Sequence, residues 1–209
     1  MARLLLLRHG QSTWNAEHRW QGMADPPLSH LGEQQARRAA AWLAGAAPPL
    51  SGVASSDLQR SRRTAEIIAA ELVLGEVDVD PALRERDVGD WSGCTSEEIA
   101  ARWPDDLRAW REGRLTRPPG GEDDASLVAR VLPALERLCA RPAELVLVVT
   151  HGGAIRALER HLAVPSCTPA NLCGRWFWRE PDTAGALRAD KVMSLPEVVE
   201  LDEEAIAPL

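Results

Sequence analysis

The sequence predicts an α/β fold: a three-layer sandwich with a mostly parallel central sheet flanked by helices, plus a helical insertion near the site mouth. Two observations carry the prediction. Short runs such as LLLL and LVLVVT are apolar throughout instead of alternating, as strands covered on both faces are. Helical patterns separate those runs, and strand–helix alternation favours parallel pairing.

Arg3 to Arg8 reads as a short buried strand bounded by charge. Ser29 suits the N-cap of a helix running to about Gly45, with Leu31, Ala36, Ala39, Ala40 and Leu43 on one face. Gly45 and the Ala-Ala-Pro-Pro run after it are a stop signal. A second strand is expected over 52–56 and a helix from about Leu58 to Leu72. Residues 145–150 form the clearest strand, leading through His151-Gly152-Gly153 into a helix that ends near His161. Residues 95–122 hold Trp103, Trp110 and Arg102, Arg108, Arg111, Arg114 and Arg117, then break at Pro118-Pro119-Gly120-Gly121; they read as a helical insertion or lid. Residues 175–179 alternate polar and aromatic, with Trp176 and Trp178 on one face, and predict a late edge strand. The reading is one domain over 1–209, closed by an acidic tail over 194–209.

Composition narrows the function classes. A 209-residue chain that is 45% hydrophobic can bury a core, which excludes disorder. The early run Leu4 to Leu7 is far short of the roughly 18 residues of a membrane span. It is also short of the about 7 apolar residues of an export signal, so no membrane and a cytoplasmic location are expected. A net charge of −7 argues against nucleic acid or an anionic membrane surface as partner. Much of that charge is Glu197, Glu200, Asp202, Glu203 and Glu204 in the tail, so the body is nearly neutral and an anion site fits within it. Cys94, Cys139, Cys167 and Cys173 form no Cys-x-x-Cys pair and read as reduced thiols. Cys167 and Cys173 with His161 match no standard metal spacing, so no metal is expected.

Four segments carry chemistry. Arg8-His9-Gly10 lies at the carboxyl end of the first strand, where the loops of an α/β sheet line a crevice. Arg offers a rigid donor fork for phosphate, and His a nucleophilic or proton-carrying nitrogen. His151-Gly152-Gly153 repeats the arrangement at the end of 145–150 and opens a helix whose N-terminus favours an anion. A lone histidine of this kind is more often structural; two at matching strand ends can converge on one ligand. In Ser55-Ser56-Asp57-Leu58-Gln59-Arg60, Asp57 either caps the next helix or serves a site, and Arg60 either lies in solvent or joins it. In residues 83–93 the charges are either an exposed turn or the source of a site carboxyl, Glu85.

Together these residues resemble the histidine phosphatase superfamily, in its phosphoglycerate-mutase-like branch. The resemblance runs through Arg8-His9-Gly10-Gln11-Ser12-Thr13-Trp14-Asn15, Gln21-Gly22, Asp25-Pro26-Pro27-Leu28-Ser29 with Leu31-Gly32, and Ser55 to Arg60 with Thr64-Ala65. It continues at Glu85, Pro119-Gly120-Gly121-Glu122 and Thr150-His151-Gly152-Gly153, covering about residues 3 to 165 in the family's order. It implies that His9 becomes a phosphohistidine and that Arg8, Arg60 and His151 bind phosphoryl oxygens. Asn15, Gln21, Gly22 and the Gly152 amide are the implied substrate-binding groups, and Glu85 the proton donor and later base. No cofactor or metal is implied. Asp123 stands where the related segment often has Ser; an extra carboxylate at the mouth would disfavour highly anionic substrates.

The family's cofactor-dependent mutases resemble one another in a Glu-Arg-His-Tyr-Gly acid loop. Here the loop reads Glu85-Arg86-Asp87-Val88-Gly89, and the chain has no tyrosine. The expectation is a phosphatase acting on a small phosphorylated metabolite, a sugar phosphate or phosphoglycerate-type compound. A mutase and a non-catalytic phosphate-binding relative are the alternatives. Trp14, Trp20, Trp103 and Trp110 are candidates either for packing on a sugar or for the core, and a homodimer is left open.

Overall fold

The computed structural model describes residues 3–46, 49–141, 145–166, 170–179 and 187–193. Strands β1 (Arg3–Arg8), β2 (Gly52–Ser55), β3 (Asp78–Val79), β4 (Leu145–Thr150), β5 (Gly174–Arg179) and β6 (Leu187–Met193) form one sheet in the order β3-β2-β4-β1-β5-β6. Pairs β1–β4, β2–β4 and β2–β3 are parallel; β1–β5 and β5–β6 are antiparallel. The segment expected at the edge is therefore interior: β5 lies between β1 and β6, and β6 had no clear pattern of its own to announce it. The acidic tail over 194–209 lies outside the described residues.

Helices α1 (Thr13–Ala16), α2 (His30–Ala46), α3 (Gln59–Leu72), α4 (Ser96–Arg102), α5 (Pro104–Arg111), α6 (Asp124–Cys139) and α7 (Gly152–His161) complete the fold. Alternation along β1 builds two cores from one strand. Leu4 and Leu6 face Leu127, Leu135, Ile155 and Leu158 of α6 and α7. Leu5 and Leu7 face Ala39, Leu43, Ala65 and Ile68 of α2 and α3. All four leucines are 0% exposed, each worth about 1.5–3 kcal/mol relative to exposure, which is why β1 is apolar on both sides. Ser29 caps α2 as expected, its Oγ accepting the Gly32 N–H at 3.0 Å.

The insertion forms α4 and α5 and has a small core of its own. Trp91, Ile99 and Leu107 are its buried centre, with Trp20, Trp103 and Trp110 packed around them. Trp20, Trp91 and Trp110 meet edge to face with ring centroids 5.3 to 6.5 Å apart. Three of the four tryptophans weighed for sugar packing are thus part of this cluster, and Trp14 lies along Gly93. No helix among the described residues is long and apolar enough to cross a membrane.

Candidate active site

Register sets the site. Arg8 pairs with Thr150 across β1 and β4, so the next residues, His9 and His151, leave the sheet side by side. Their rings meet at 5.1 Å between centroids, 63° apart. The His9 backbone is held at both ends: its N–H donates to the Thr150 carbonyl at 3.0 Å, and its carbonyl accepts from Asn171 Nδ2 at 2.7 Å. The next amide, Gly10 N–H, donates to Thr64 Oγ1 at 3.1 Å.

His9 Nδ1 lies 2.6 Å from the Gly10 carbonyl, which can only accept, so Nδ1 carries the proton and Nε2 the lone pair. Arg60 Nε donates to that Nε2 at 3.2 Å. The other arms of the Arg60 guanidinium donate to the carbonyls of Ala24 (2.7 Å) and Gly22 (2.8 Å). Gly22 presents its carbonyl from a left-handed conformation (φ +52°), and a Cβ there would stand 2.6 Å from Val88. Arg60 is fully buried, not in solvent; burial lowers its pKa to about 10, so it remains a cation at neutral pH. Burial, followed by the charges of Arg60 and Arg8, holds His9 well below the ordinary imidazole value. His151 is depressed in the same way, by burial first and Arg60 next.

The carboxyl group arrives from the loop after β3. Glu85 Oε2 accepts the Gly153 N–H at 2.9 Å, at the opening of α7, and Oε1 accepts the Arg86 N–H at 2.7 Å. A Cβ on Gly153 would lie 2.2 Å from Glu85 Oε1. The loop is splinted by Arg130 on α6. Its guanidinium donates to the carbonyls of Ala82, Arg84 and Glu85 at 2.7–2.9 Å and to both carboxylate oxygens of Glu122 at 2.8 and 2.9 Å. Arg86 is buried; it donates to the Glu122 carbonyl, pairs with Asp124 and lies over the Trp110 ring. The segment is not an exposed turn.

Several expected roles fall differently. Asp57 is not the helix cap: Asp25 Oδ1 accepts the Gln59 N–H at 2.6 Å and occupies that position. Asp57 instead forms a two-pronged pair with Arg84 at 2.5 and 2.7 Å, which holds its carboxyl below the usual range. Asp123 is not a loose carboxylate at the mouth; its side chain caps α6 on Ser126 N–H at 2.8 Å. Asn15 Oδ1 accepts the Ser12 N–H in a capping box at α1, leaving the Nδ2 end as donor. Gln21 Oε1 accepts from Ser12 Oγ at 2.8 Å. Gly152 is the first residue of α7, beside His151. Sequence reasoning missed Asn171 and Arg130, and quoted Thr64 and Ser56 without a role; none belongs to a local pattern that signals one. Cys94 and Cys139 are buried free thiols, and Cys167 lies outside the described residues.

The sequence pattern of the histidine phosphatase superfamily (branch 1) matches residues 4–171. The chain belongs to that superfamily. Among its histidine phosphatase relatives, a 2,3-bisphosphoglycerate-dependent phosphoglycerate mutase of Methylobacterium sp. (strain 4-46) is 37% identical over 211 residues, covering 97% of this chain and 100% of that one. Phosphoglycerate mutase-like protein 4 of Arabidopsis thaliana is 41% identical over 160 residues, 75% of this chain and 69% of that one. A mycobacterial glucosyl-3-phosphoglycerate phosphatase solved with VO3 superposes with a TM-score of 0.78 at 35% identity, covering 91% of this chain and 98% of that one. The histidine phosphatase fold is thus shared by relatives bearing two kinds of name, mutase and phosphatase.

Proposed function

We propose that this protein is a metal-independent phosphomonoester hydrolase that works through a phosphohistidine on His9. Its substrate is a small phosphorylated metabolite, a sugar phosphate or phosphoglycerate-type compound. His9 Nε2 attacks phosphorus in line as the bond to the leaving oxygen breaks, and Glu85 in its acid form protonates that oxygen. Glu85 as carboxylate then takes a proton from water, which attacks phosphorus and breaks the N–P bond, returning His9 and releasing phosphate. Arg8, Arg60, His151, the Gly152 amide and Asn15 Nδ2 are the donors assigned to the phosphoryl oxygens, supplying positioning and positive charge without a metal ion.

The observation that carries hydrolysis over transfer is the acid loop. The loop reads Glu85-Arg86-Asp87-Val88-Gly89, without the His-Tyr pair of the mutase loop it resembles. Asp87 turns its side chain back onto the Gly89 N–H at 2.9 Å and its backbone is tied to Glu122, so it takes no such place. The mutase reading has its own support in the name of the relative from Methylobacterium sp. (strain 4-46). Phosphate release measured over a metabolite panel, with and without a bisphosphoglycerate, separates the two. Hydrolysis predicts phosphate from every substrate turned over, in the presence of EDTA; isomerised phosphoglycerate without phosphate release overturns it. A folded His9→Ala variant should release none.

A further inference from the structure

His151 has a nitrogen to spare. Its Nε2 lies 2.7 Å from Ser56 Oγ, and its Nδ1 is buried with no hydrogen-bond partner among the described residues. Both residues are 0% exposed, so water does not make up the difference at the surface. A neutral imidazole has one donor and one acceptor nitrogen, and the bond made by one decides the other.

We propose that Ser56 fixes His151 in the tautomer that carries its proton on Nδ1, so that His151 donates to a phosphoryl oxygen from Nδ1. Two arrangements are open to the pair. If Nε2–H donated to Ser56, the hydroxyl hydrogen would have no acceptor among the described residues, where the Ser56 Oγ contact is with His151. Nδ1 would then present a lone pair, which repels an anion. If Ser56 donates to Nε2, the hydroxyl is satisfied and one group remains open, an Nδ1–H. A buried polar group left unpaired costs about 1–3 kcal/mol, so the arrangement with one such group is favoured over that with two. The surviving orphan is a donor on the ring that meets His9 edge to face, and a phosphoryl oxygen is the acceptor it lacks. Burial and the nearby Arg60 keep His151 neutral, so the tautomer and not protonation sets what it offers.

Ser56 can do this because of register. Ser55 pairs with Val149, and Ser56 N–H continues the ladder to the Val149 carbonyl at 3.3 Å. The hydroxyl therefore leaves β2 on a rigid strand end, at the level where His151 leaves β4. Ser56 is a positioning residue: it acts on phosphate through His151.

The inference rests on the hydrolase reading for the identity of the anion, but its test needs no turnover. Nitrogen-15 NMR of the histidine-labelled protein, with the His151 signals identified by their loss in His151→Gln, reports which nitrogen bears the proton. The expected result is Nδ1–H with Nε2 bare, and an Nδ1 signal that moves on titration with inorganic phosphate. A proton on Nε2, or an Nδ1 signal indifferent to bound phosphate, overturns the proposal. Ser56→Ala should lose the single tautomer and weaken inorganic phosphate binding by about tenfold, one hydrogen bond's worth, while Ser56→Thr restores both. Equal weakening in the two variants would show that packing, not the hydroxyl proton, is what Ser56 supplies, and would also overturn it. If Ser56→Ala does not fold, the wild-type spectrum alone decides. A protein with the expected tautomer and phosphate response but no hydrolysis would sink the hydrolase reading and leave this one standing.

Discussion

Arg60 Nε donates to His9 Nε2 across 3.2 Å, so in the free protein a buried cation sits on the lone pair of the proposed nucleophile. An arriving phosphoryl oxygen has to draw that N–H from His9, freeing the lone pair as it does so. Arg60→Ala should therefore lower kcat by roughly 10²- to 10³-fold on para-nitrophenyl phosphate. Arg60→Lys should recover little, because the guanidinium is aimed by the Gly22 and Ala24 carbonyls and an ammonium cannot hold both while reaching His9. A wild-type kcat in either variant would place Arg60 outside the reaction.

The two histidines predict a pH dependence of stability. Their folded pKa values lie well below the ordinary 6.5, so below about pH 6.5 the unfolded chain binds more protons than the native one. Stability is full above that value and falls as pH drops from it toward the folded pKa values. The carboxylates of Asp57 and Asp124 are depressed from 3.8, so their loss comes at lower pH. Urea midpoints between about pH 7 and pH 5 should therefore decline in the wild type and decline less in His151→Gln. A flat wild-type profile over that interval contradicts the assignment. The acid limb of kcat/KM should likewise lie below the usual imidazole range, since it reports the free protein's nucleophile.

Arg130 holds the loop that carries the proposed acid, and that gives it a signature. Removing its grip on the Ala82, Arg84 and Glu85 carbonyls should displace Glu85 and leave His9 and Arg60, which Arg130 does not hold, in place. Arg130→Met should thus reduce kcat/KM more for an alkyl phosphate, whose leaving oxygen needs a proton, than for para-nitrophenyl phosphate, whose leaving oxygen hardly does. The difference should approach that of Glu85→Gln, and equal losses on the two substrates would remove Arg130 from this role. The variant also takes the paired cation from the Glu122 carboxylate, leaving it the Asp87 N–H, at a cost of about 1–3 kcal/mol in a urea titration.

Gly153→Ala puts a methyl group where Glu85 Oε1 now lies, 2.2 Å from the added carbon. The carboxylate must swing off the Gly153 amide. The expected result is a fall in kcat of at least about tenfold with inorganic phosphate binding nearly unchanged, because the loss falls on the acid and not on the anion donors. Phosphate affinity falling in step with kcat would show instead that α7 itself had shifted.

Much of this site was readable because local chemistry and position coincide. His9 and His151 each follow an apolar run, so a fold that pairs those runs in parallel brings the two histidines to the same end of the sheet. Arg60 and Glu85 were readable from their segments taken with the resemblance. Asn171 and Arg130 were not. Each serves a backbone carbonyl far away in the chain, His9 for the first and the acid loop for the second, and a carbonyl leaves no trace in composition. Asp57 misled because a strand-to-helix junction ordinarily uses its own acid as cap; here Asp25 reaches in from another loop and Arg84 draws Asp57 away. β5 looked like an edge because its alternation is polar, yet Trp176 and Phe177 lie against opposite cores and β6 closes over its open side.

The order of the sheet also orders its failure. β1 and β4, which end at His9 and His151, lie at the centre, flanked by β2 and β5, while β3 stands at one margin and carries only two residues. Backbone amides of central strands open only with the whole molecule, whereas margins and satellite clusters fray first. Under mild denaturant or heat, amide exchange should reach the Glu85 loop after β3 and the tryptophan cluster before it reaches Leu6 or Val148. On the proposed mechanism, the protein would then pass through a form that keeps its anion donors but has lost the acid for the leaving oxygen, a binder left behind by a failing catalyst.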